Sequence, residues 1–512
     1  MVKGKKWRML KSRTRFVWLL IVVILGILIT ASIFIQYANS LILTIFQLLL
    51  SFGVFIFIFF SHRDPTTKWA WIIIIFALPI LGVSLFFLFG RNKRYIVQFQ
   101  RKIEQNLQFD YQYEAFVPLQ LEHAEIYQQR QYQFLQTIAA RPMYQNTHTH
   151  VHVGQEFFTE LLTAIQGAKH HIHLEFYIVR YDDVTQPIFT ALCEQARAGV
   201  EVRLLVDAGG SFRTLSDVVI RDLVEAGVLF AFFGDPQSLV LDSTVNWRNH
   251  RKVVVIDGTI GFIGGFNLGR EYVFGDDKTK NWRDTHLRLV GDAVRSLQTI
   301  FLEDWHFSTH EHFASEQSNQ YFPECTTVST TDIVQIISDG PDTRKRPLKN
   351  SLYKLINTAT QRIWLSTPYL ILPNDILQAL KSAALSGVDV RISIPGNPDK
   401  KMIYRCTQSY IEELIEAGVQ IYLLTDTFQH SKVWVFDDEF AACGTVNLDY
   451  RSLLINFEAM ALLSNNETIE QLAEILATDF QQSQRVELRG WKKRSYYQKV
   501  SESCTRLFAP IF

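Results

Sequence analysis

The chain has 512 residues, and its 51 basic and 51 acidic side chains leave a formal net charge of zero. This length predicts two or three folding units, and the balanced charge excludes a global electrostatic field for holding nucleic acid. The five cysteines are spread along the chain without a C-x-x-C pair, so neither a zinc ribbon nor a disulfide framework is indicated.

Three apolar runs occupy the first ninety residues, at about residues 16–36, 41–61 and 69–89. Each has about the length that a helix needs to cross ~30 Å of hydrocarbon. A cleaved signal peptide would have a shorter apolar region and no second run behind it. We therefore expect residues 16–90 to remain in the protein as transmembrane helices.

Basic residues flank these runs on both sides. Seven of them lie within residues 1–15, and five more lie within residues 91–102. The positive-inside rule places both clusters in the cytoplasm, which three full crossings cannot satisfy. Either the third run does not cross, because Pro79 and Gly82 interrupt it, or the rule is broken here. We expect a multi-pass protein of the cell membrane with cytoplasmic catalytic domains.

Beyond a polar connector at residues 91–135, short β-rich runs alternate with helical segments, which predicts an α/β fold. Landmarks of this pattern occur twice in the same order. The matched pairs are residues 170–179 with 362–371, 198–203 with 386–391, and 225–228 with 416–419. The sequence therefore predicts duplicated domains, at residues 136–325 and 326–512.

Each copy carries a His-x-Lys-x4-Asp motif followed by a glycine and an asparagine. Measured from the histidine, the lysine lies at +2, the aspartate at +7, the glycine at +14 and the asparagine at +17 in both copies. The first copy contains His250, Lys252, Asp257, Gly264 and Asn267. The second contains His430, Lys432, Asp437, Gly444 and Asn447.

The motif spacing predicts a site for phosphoryl chemistry. Histidine and lysine two residues apart lie on one face of a strand, because successive side chains alternate. Two such faces brought together would form a cationic clamp for a phosphate, with Asn267 and Asn447 as further donors. One neutral histidine would attack phosphorus while the other, protonated, donates to the leaving alkoxide. The lysines supply the positive charge, so we expect no metal and no cofactor.

Each histidine needs a partner on its other ring nitrogen to hold one tautomer. Asp284 and Glu458 are the nearest downstream candidates for this orienting role. The carboxylates Asp257 and Asp437 are counted with the catalytic residues, because they hold the same place in both copies of the motif. We expect them to tie the strand end to neighbouring basic or backbone donors.

These motifs closely resemble those of the phospholipase D superfamily. Together with the apolar N-terminal segments and the stretches GGFN and GTVNLDYRS, they are similar to the bacterial cardiolipin synthases. The resemblance implies duplicated α/β domains that share one active site and transfer a phosphatidyl group between two phosphatidylglycerol molecules, giving cardiolipin and glycerol. It also implies a phosphohistidine at His250, an acid/base role for His430, and phosphatidylglycerol and anionic membrane lipid as partners.

Other functions compete with this interpretation. The first is a membrane-bound phospholipase D-type phosphodiesterase that gives the phosphatidyl group to water. The second is a nuclease, against which the balanced charge and the apolar segments argue. The third is a catalytically silent membrane scaffold, which is disfavoured because both copies keep the histidine and the lysine.

Overall fold

The computed structural model describes residues 40–61, 65–89, 99, 102–104, 106, 126–234, 247–275, 281–313, 319–325, 332–343 and 345–511. It divides the chain into a smaller unit, Met1–Val97 with Asp235–Asn246, and a larger unit, Gln98–Gly234 with Trp247–Phe512. The predicted basic N-terminus, the first apolar run and most of the connector lie outside the described residues.

The described part of the smaller unit is helical. Its helices are Ser40–Phe59, Pro65–Ala77 and Pro79–Phe89. The second apolar run is therefore one helix, whereas the third is divided at Leu78. Pro79 explains the division, because proline has no backbone N–H and its ring crowds the preceding turn.

The two helices of the third run fold back on each other as an antiparallel hairpin. The rings of Trp71 and Phe86 lie 5.3 Å apart across it. Gly82 rests on the facing backbone, where a Cβ would lie 2.5 Å from the Ile74 oxygen, so only glycine permits this approach. Among the residues that the structure describes, no helix is both long enough and apolar enough to cross a membrane.

Two sheets that repeat one strand order form the larger unit, which confirms the predicted duplicated α/β fold. The first has the order Thr147–Val153, Thr285–Gly291, Ile260–Gly264, Val253–Ile256, His171–Phe176, Glu201–Asp207 and Leu229–Phe233. The second has the order Met143–Tyr144, Ile333–Asp339, Glu458–Ser464, Phe440–Gly444, Val433–Phe436, Arg362–Ser366, Asp389–Pro395, Gln420–Leu424 and Gln484–Arg485. Two short pairs join Leu370–Ile371 to Leu448–Asp449 and Phe428–Gln429 to Trp282–Arg283.

Helices alternate with these strands along the chain. The helices of the first half are Gln155–Gln166, Gln186–Arg197, Ala208–Ser211, Asp217–Glu225, Glu271–Phe274 and Val294–Thr309, with a 3-10 turn at Asn319–Tyr321. Those of the second half are Pro347–Thr358, Asn374–Leu385, Lys401–Glu416, Tyr450–Leu454, Thr468–Gln481, Leu488–Lys492 and Tyr496–Arg506, with a 3-10 turn at Ala509–Ile511.

Strand pairing corrects the internal match by one residue. In the first sheet, His171 pairs with Glu201. In the second sheet, Arg362 pairs with Asp389. His171 is thus the equivalent of Arg362, whereas the sequence match had aligned His170 with it. The error arises because register depends on hydrogen-bonded partners, which the sequence of a continuous apolar run does not reveal.

The motif strands connect the two halves through a shared core. Val253 and Val255 pack in one apolar cluster together with Val433 and Val435 of the other half. Val254 points the opposite way, into the core of its own half. Because side chains alternate along a strand, each motif strand contributes residues to the shared core and to the core of its own half. The N-terminal ends of the two motif strands meet at the junction between the halves.

The helix Ile126–Ala139 packs against the second half. Its residues Tyr132 and Leu135 belong to the second-half core, together with Met143 of the adjoining strand. The predicted boundary between the connector (91–135) and the first domain (136–325) therefore falls within this helix. A helix that precedes the first copy in sequence thus contributes to the core of the second.

Lys102, in the first third of the connector, forms ion pairs with both halves of the larger unit. Its Nζ lies 3.0 Å from Asp304 of the first half and 2.9 Å from Asp342 of the second, and its side chain is buried. Burial opposes the ammonium charge, but the two carboxylates outweigh that effect and raise the pKa of Lys102. The charge is therefore retained in the interior.

Candidate active site

The two motif histidines lie where the halves meet, and the backbone of each is bonded to the other half. The His250 N–H donates to the Phe457 carbonyl over 2.9 Å. The His430 N–H donates to the Arg283 carbonyl over 2.8 Å. These matched bonds place both histidines at one junction.

The orienting carboxylates are exchanged between the halves. His250 Nδ1 lies 3.0 Å from the Glu458 carboxylate, which belongs to the second half. His430 Nδ1 lies 2.5 Å from Asp284 Oδ2, which belongs to the first half. With Nδ1 engaged in this way, Nε2 of each ring is the nitrogen left for chemistry.

The motif lysines are completely buried beside the histidines. Lys252 Nζ donates to the His250 carbonyl over 2.7 Å, and Lys432 Nζ lies 3.9 Å from Asp284. Burial lowers the pKa of Lys252 to about 7 despite the opposing charge of Glu458. Burial likewise lowers the pKa of Lys432 to about 8, opposed by Asp284. An anion placed between these lysines would restore their charged forms.

The histidines are held neutral at physiological pH. Burial lowers the pKa of His250 to about 4; the Glu458 charge opposes this shift, and the Lys252 charge adds to it. Burial, and then the charges of Lys432 and Lys252, lower the pKa of His430 well below its usual value. A lysine of the first motif thus acts on the histidine of the second, so the two motifs share one electrostatic environment.

Asp257 and Asp437 lie at the opposite ends of the motif strands from the histidines. Each has a left-handed backbone, with φ of 52° and 51° respectively. Asp257 accepts the backbone N–H groups of Lys169, His170 and His171, and Asp437 accepts those of Thr360, Gln361 and Arg362. These contacts agree with a strand-end role and place both carboxylates away from the histidines.

The matched asparagines have different contacts. Asn267 Oδ1 accepts from the Ile178 N–H at 3.0 Å, and its Nδ2 donates to the Tyr272 hydroxyl at 2.5 Å. Asn447 is also buried, but its Oδ1 has no hydrogen-bond partner in the part of the chain that the structure describes. The amide of Asn267 is therefore already engaged in shaping the loop.

Aromatic rings that the sequence reasoning missed surround the histidines. The Tyr177 ring lies 4.9 Å from the His250 ring. The Trp282 and Tyr272 rings lie 4.7 Å and 5.7 Å from the His430 ring. Trp282 stands two residues before Asp284, and this short spacing is the sequence signal from which its place beside the site could have been predicted.

The position after the motif glycine also supports the orienting carboxylates. Thr445 Oγ1 donates to Glu458. Gly265, the matching residue of the first copy, leaves room for Asp284, because a Cβ there would lie 1.9 Å from Asp284 Oδ1. The two copies therefore support their carboxylates differently. In the second copy Thr445 donates a hydrogen bond to Glu458, and in the first the missing side chain of Gly265 leaves room for Asp284.

Comparison with known families agrees with this geometry. A family model described as "Cardiolipin synthase, PLD-like domain" matches residues 161–305 and 352–480. A second, described as "Phospholipase_D-nuclease N-terminal", matches residues 49–91. The first model covers more than half of the chain. The chain belongs to the phospholipase D-like cardiolipin synthase family.

Full-length relatives support membership of this family. The cardiolipin synthase of Alkalihalophilus pseudofirmus is 38% identical over 460 residues, which cover 89% of this chain and 91% of that protein. That of Halalkalibacterium halodurans is 37% identical over 516 residues, covering 98% and 100% respectively. The solved phosphatidylserine synthase of Haemophilus influenzae Rd KW20 has a TM-score of 0.57 at 15% identity, covering 75% of this chain and 100% of that one. This last similarity supports the fold alone.

Replacing an orienting carboxylate by its amide should lower activity with little change in stability. In Glu458→Gln the side chain keeps its shape but no longer stabilises the Nδ1–H tautomer of His250, so we expect kcat to fall by roughly 10²- to 10⁴-fold. Product formation from labelled lipid measures the effect. Glu474→Gln, on an exposed helix position, is the matched control. Equal activity of the two variants would contradict the orienting role.

Proposed function

We propose that this protein is a phosphatidyltransferase that joins two phosphatidylglycerol molecules into cardiolipin and releases glycerol. The two relatives from Alkalihalophilus and Halalkalibacterium are cardiolipin synthases, and the match covers 91% and 100% of their lengths. The observation that carries the proposal is the pair of buried His-Lys sets at one junction, each histidine held by a carboxylate from the other half.

The two motif lysines bind the reacting phosphate in this proposal. Lys252 and Lys432 neutralise its oxygens and stabilise the charge that develops during transfer. Asn447 supplies a further polar group, whereas Asn267 acts through the loop it holds. The lysines thus provide the positive charge that phosphoryl transfer requires.

In this proposal one histidine is the nucleophile and the other transfers protons. Nε2 of one neutral histidine attacks phosphorus, and the bond from phosphorus to the glycerol oxygen breaks. The second histidine, which becomes protonated when the negative charge of the bound phosphate raises its pKa, gives its proton to that oxygen. The hydroxyl of a second phosphatidylglycerol then attacks phosphorus, the P–N bond breaks, and the second histidine takes the hydroxyl proton. Attack by His250 with His430 as acid/base, the order that the resemblance implies, stays a prediction.

Loss of either histidine should abolish cardiolipin formation. We expect His250→Ala and His430→Ala each to lower product formation by at least about 10³-fold, since neither the covalent step nor the proton transfer can proceed. The measurement is lipid analysis of cells that express each variant, in which phosphatidylglycerol should be retained. His148→Ala, at an exposed strand position, is the control. Undiminished cardiolipin would contradict the assignment, and phosphatidic acid from the wild type would favour the hydrolase.

The reaction should weaken as the pH rises. Lys252 loses its charge as the pH passes about 7, and Lys432 as it passes about 8, so the free enzyme loses affinity for the phosphate. We expect kcat/KM for phosphatidylglycerol to fall over this range, and kcat to fall at higher pH because the bound anion raises both pKa values. In Lys432→Arg, whose guanidinium stays charged, only the fall that Lys252 sets, near pH 7, should remain. A kcat/KM that still rises above about pH 9 would contradict this account.

The membrane arrangement is also a proposal. The apolar runs at residues 16–36 and 41–61 cross the membrane, and residues 65–89 enter and leave it on the cytoplasmic face. The hairpin supports this, because its longer helix, Pro65–Ala77, is ~20 Å long and the hydrocarbon is ~30 Å thick. Both basic clusters are then cytoplasmic. Large apolar side chains are exposed on the hairpin, namely Trp69, Ile73, Phe76, Leu78 and Ile80.

Cysteine labelling tests this topology. A membrane-impermeant maleimide applied to intact cells should label Asn39→Cys, which lies between the two crossing runs, and should not label Asn92→Cys, which lies in the second basic cluster. The native Cys504 is exposed in the catalytic unit and should be labelled only after lysis, which makes it an internal control. Labelling of Asn92→Cys in intact cells would refute the proposed arrangement.

A further inference from the structure

Arg248, two positions before the first motif histidine, lies on the side of the chain that faces the site. Asn249 and Arg251 both bond to the interior carboxylate of Asp304. His250 and Lys252 face the other way, towards the site. The same alternation places Arg248 on the same side of the chain as His250.

The surroundings of Arg248 confirm this placement. Its guanidinium lies over Gly209, where a Cβ would be only 2.4 Å from Cζ. The next residue, Gly210, lies against Tyr177, whose ring contacts His250. Arg248 Nη1 is 4.0 Å from Asp207, and 16% of the Arg248 side chain is exposed. The guanidinium is therefore positioned at the site and still reaches solvent.

A second arginine approaches from the other half. Arg451 Nη2 lies 3.5 Å from Asn456 Oδ1, and Asn456 Nδ2 lies 3.4 Å from Glu458, the carboxylate that orients His250. Burial, and then the positive charge of Arg248, lower the pKa of Arg451, although Asp449 opposes them. Both guanidinium groups are thus linked through neighbouring residues to the surroundings of His250.

The His430 end lacks this pair. The residue that matches Arg248 in the second copy is Phe428, whose ring lies 6.0 Å from His430. The residue that matches Arg451 in the first copy is Glu271, which pairs with Arg180 at 2.5 Å. At these matched positions, the copies therefore differ: two arginines stand at the His250 end, where the other copy has a phenylalanine and a glutamate.

We propose that Arg248 and Arg451 bind the phosphodiester of the acceptor lipid, the second phosphatidylglycerol. The proposal rests on the transfer reaction above. Each substrate carries one phosphate, and the lysine clamp accommodates only the one that reacts. The other, which becomes the second phosphate of cardiolipin, is an anion that needs cations of its own, and a pair of guanidinium groups suits its oxygens.

Two reactions with different acceptors separate this role from others. Cardiolipin formation uses an acceptor with a phosphate, whereas exchange of labelled glycerol into phosphatidylglycerol uses the same donor and an acceptor without one. Both are measured on the full chain in mixed micelles of detergent and phosphatidylglycerol. The variants are Arg248→Gln and Arg451→Gln, with Arg221→Gln, on the exposed face of the helix Asp217–Glu225, as the matched control.

We expect each site variant to lower kcat/KM for cardiolipin formation about 10- to 100-fold, mainly through KM, while glycerol exchange stays within about twofold of the wild type. Arg248→Lys should recover part of the loss, because it keeps the charge. Equal loss of both reactions, which would mean a donor-binding or structural role, overturns the proposal, and so does no loss of either. Failure of the wild type to make cardiolipin would instead refute the transfer reaction itself.

Discussion

Each motif histidine contacts a carboxylate from the opposite half of the duplication, and the arrangement of the site depends on this exchange. Glu458 reaches His250 and Asp284 reaches His430 across the junction. Neither copy can hold its own imidazole in one tautomer, so neither is a complete site. The shared core of the two motif strands is what keeps the pairs in register. Fold and chemistry are therefore coupled at one interface.

The second consequence is electrostatic. Two lysines and two histidines are removed from water at this junction, which disfavours their charged forms. The neighbouring carboxylates compensate only in part, since the pKa values of Lys252 and Lys432 stay lowered to about 7 and about 8. A phosphate bound between the lysines would supply the missing negative charge. The unliganded site is thus organised for an anion, and binding and protonation reinforce each other.

The sequence alone was sufficient to identify the motifs, the duplication and the two carboxylates that contact the histidines. It could not assign Glu458 to His250, because that pairing depends on how the two copies face each other. The break in the third apolar run was predictable, since Pro79 is a local signal. The packing of the helix Ile126–Ala139 against the second half was not predictable, because its apolar face does not reveal which half it covers. The roles of Gly265 and Thr445 depend on close contacts that no spacing encodes.

The most direct test of the exchanged carboxylates is nitrogen NMR of the histidine rings, with ¹⁵N-histidine incorporated into the full chain and signals assigned from His→Gln variants. Glu458→Gln should shift the Nδ1 signal of His250 and leave that of His430 nearly unchanged, and Asp284→Asn should do the reverse. If each substitution instead perturbed the histidine of its own half, the exchange between halves, and the single shared site built on it, would be contradicted.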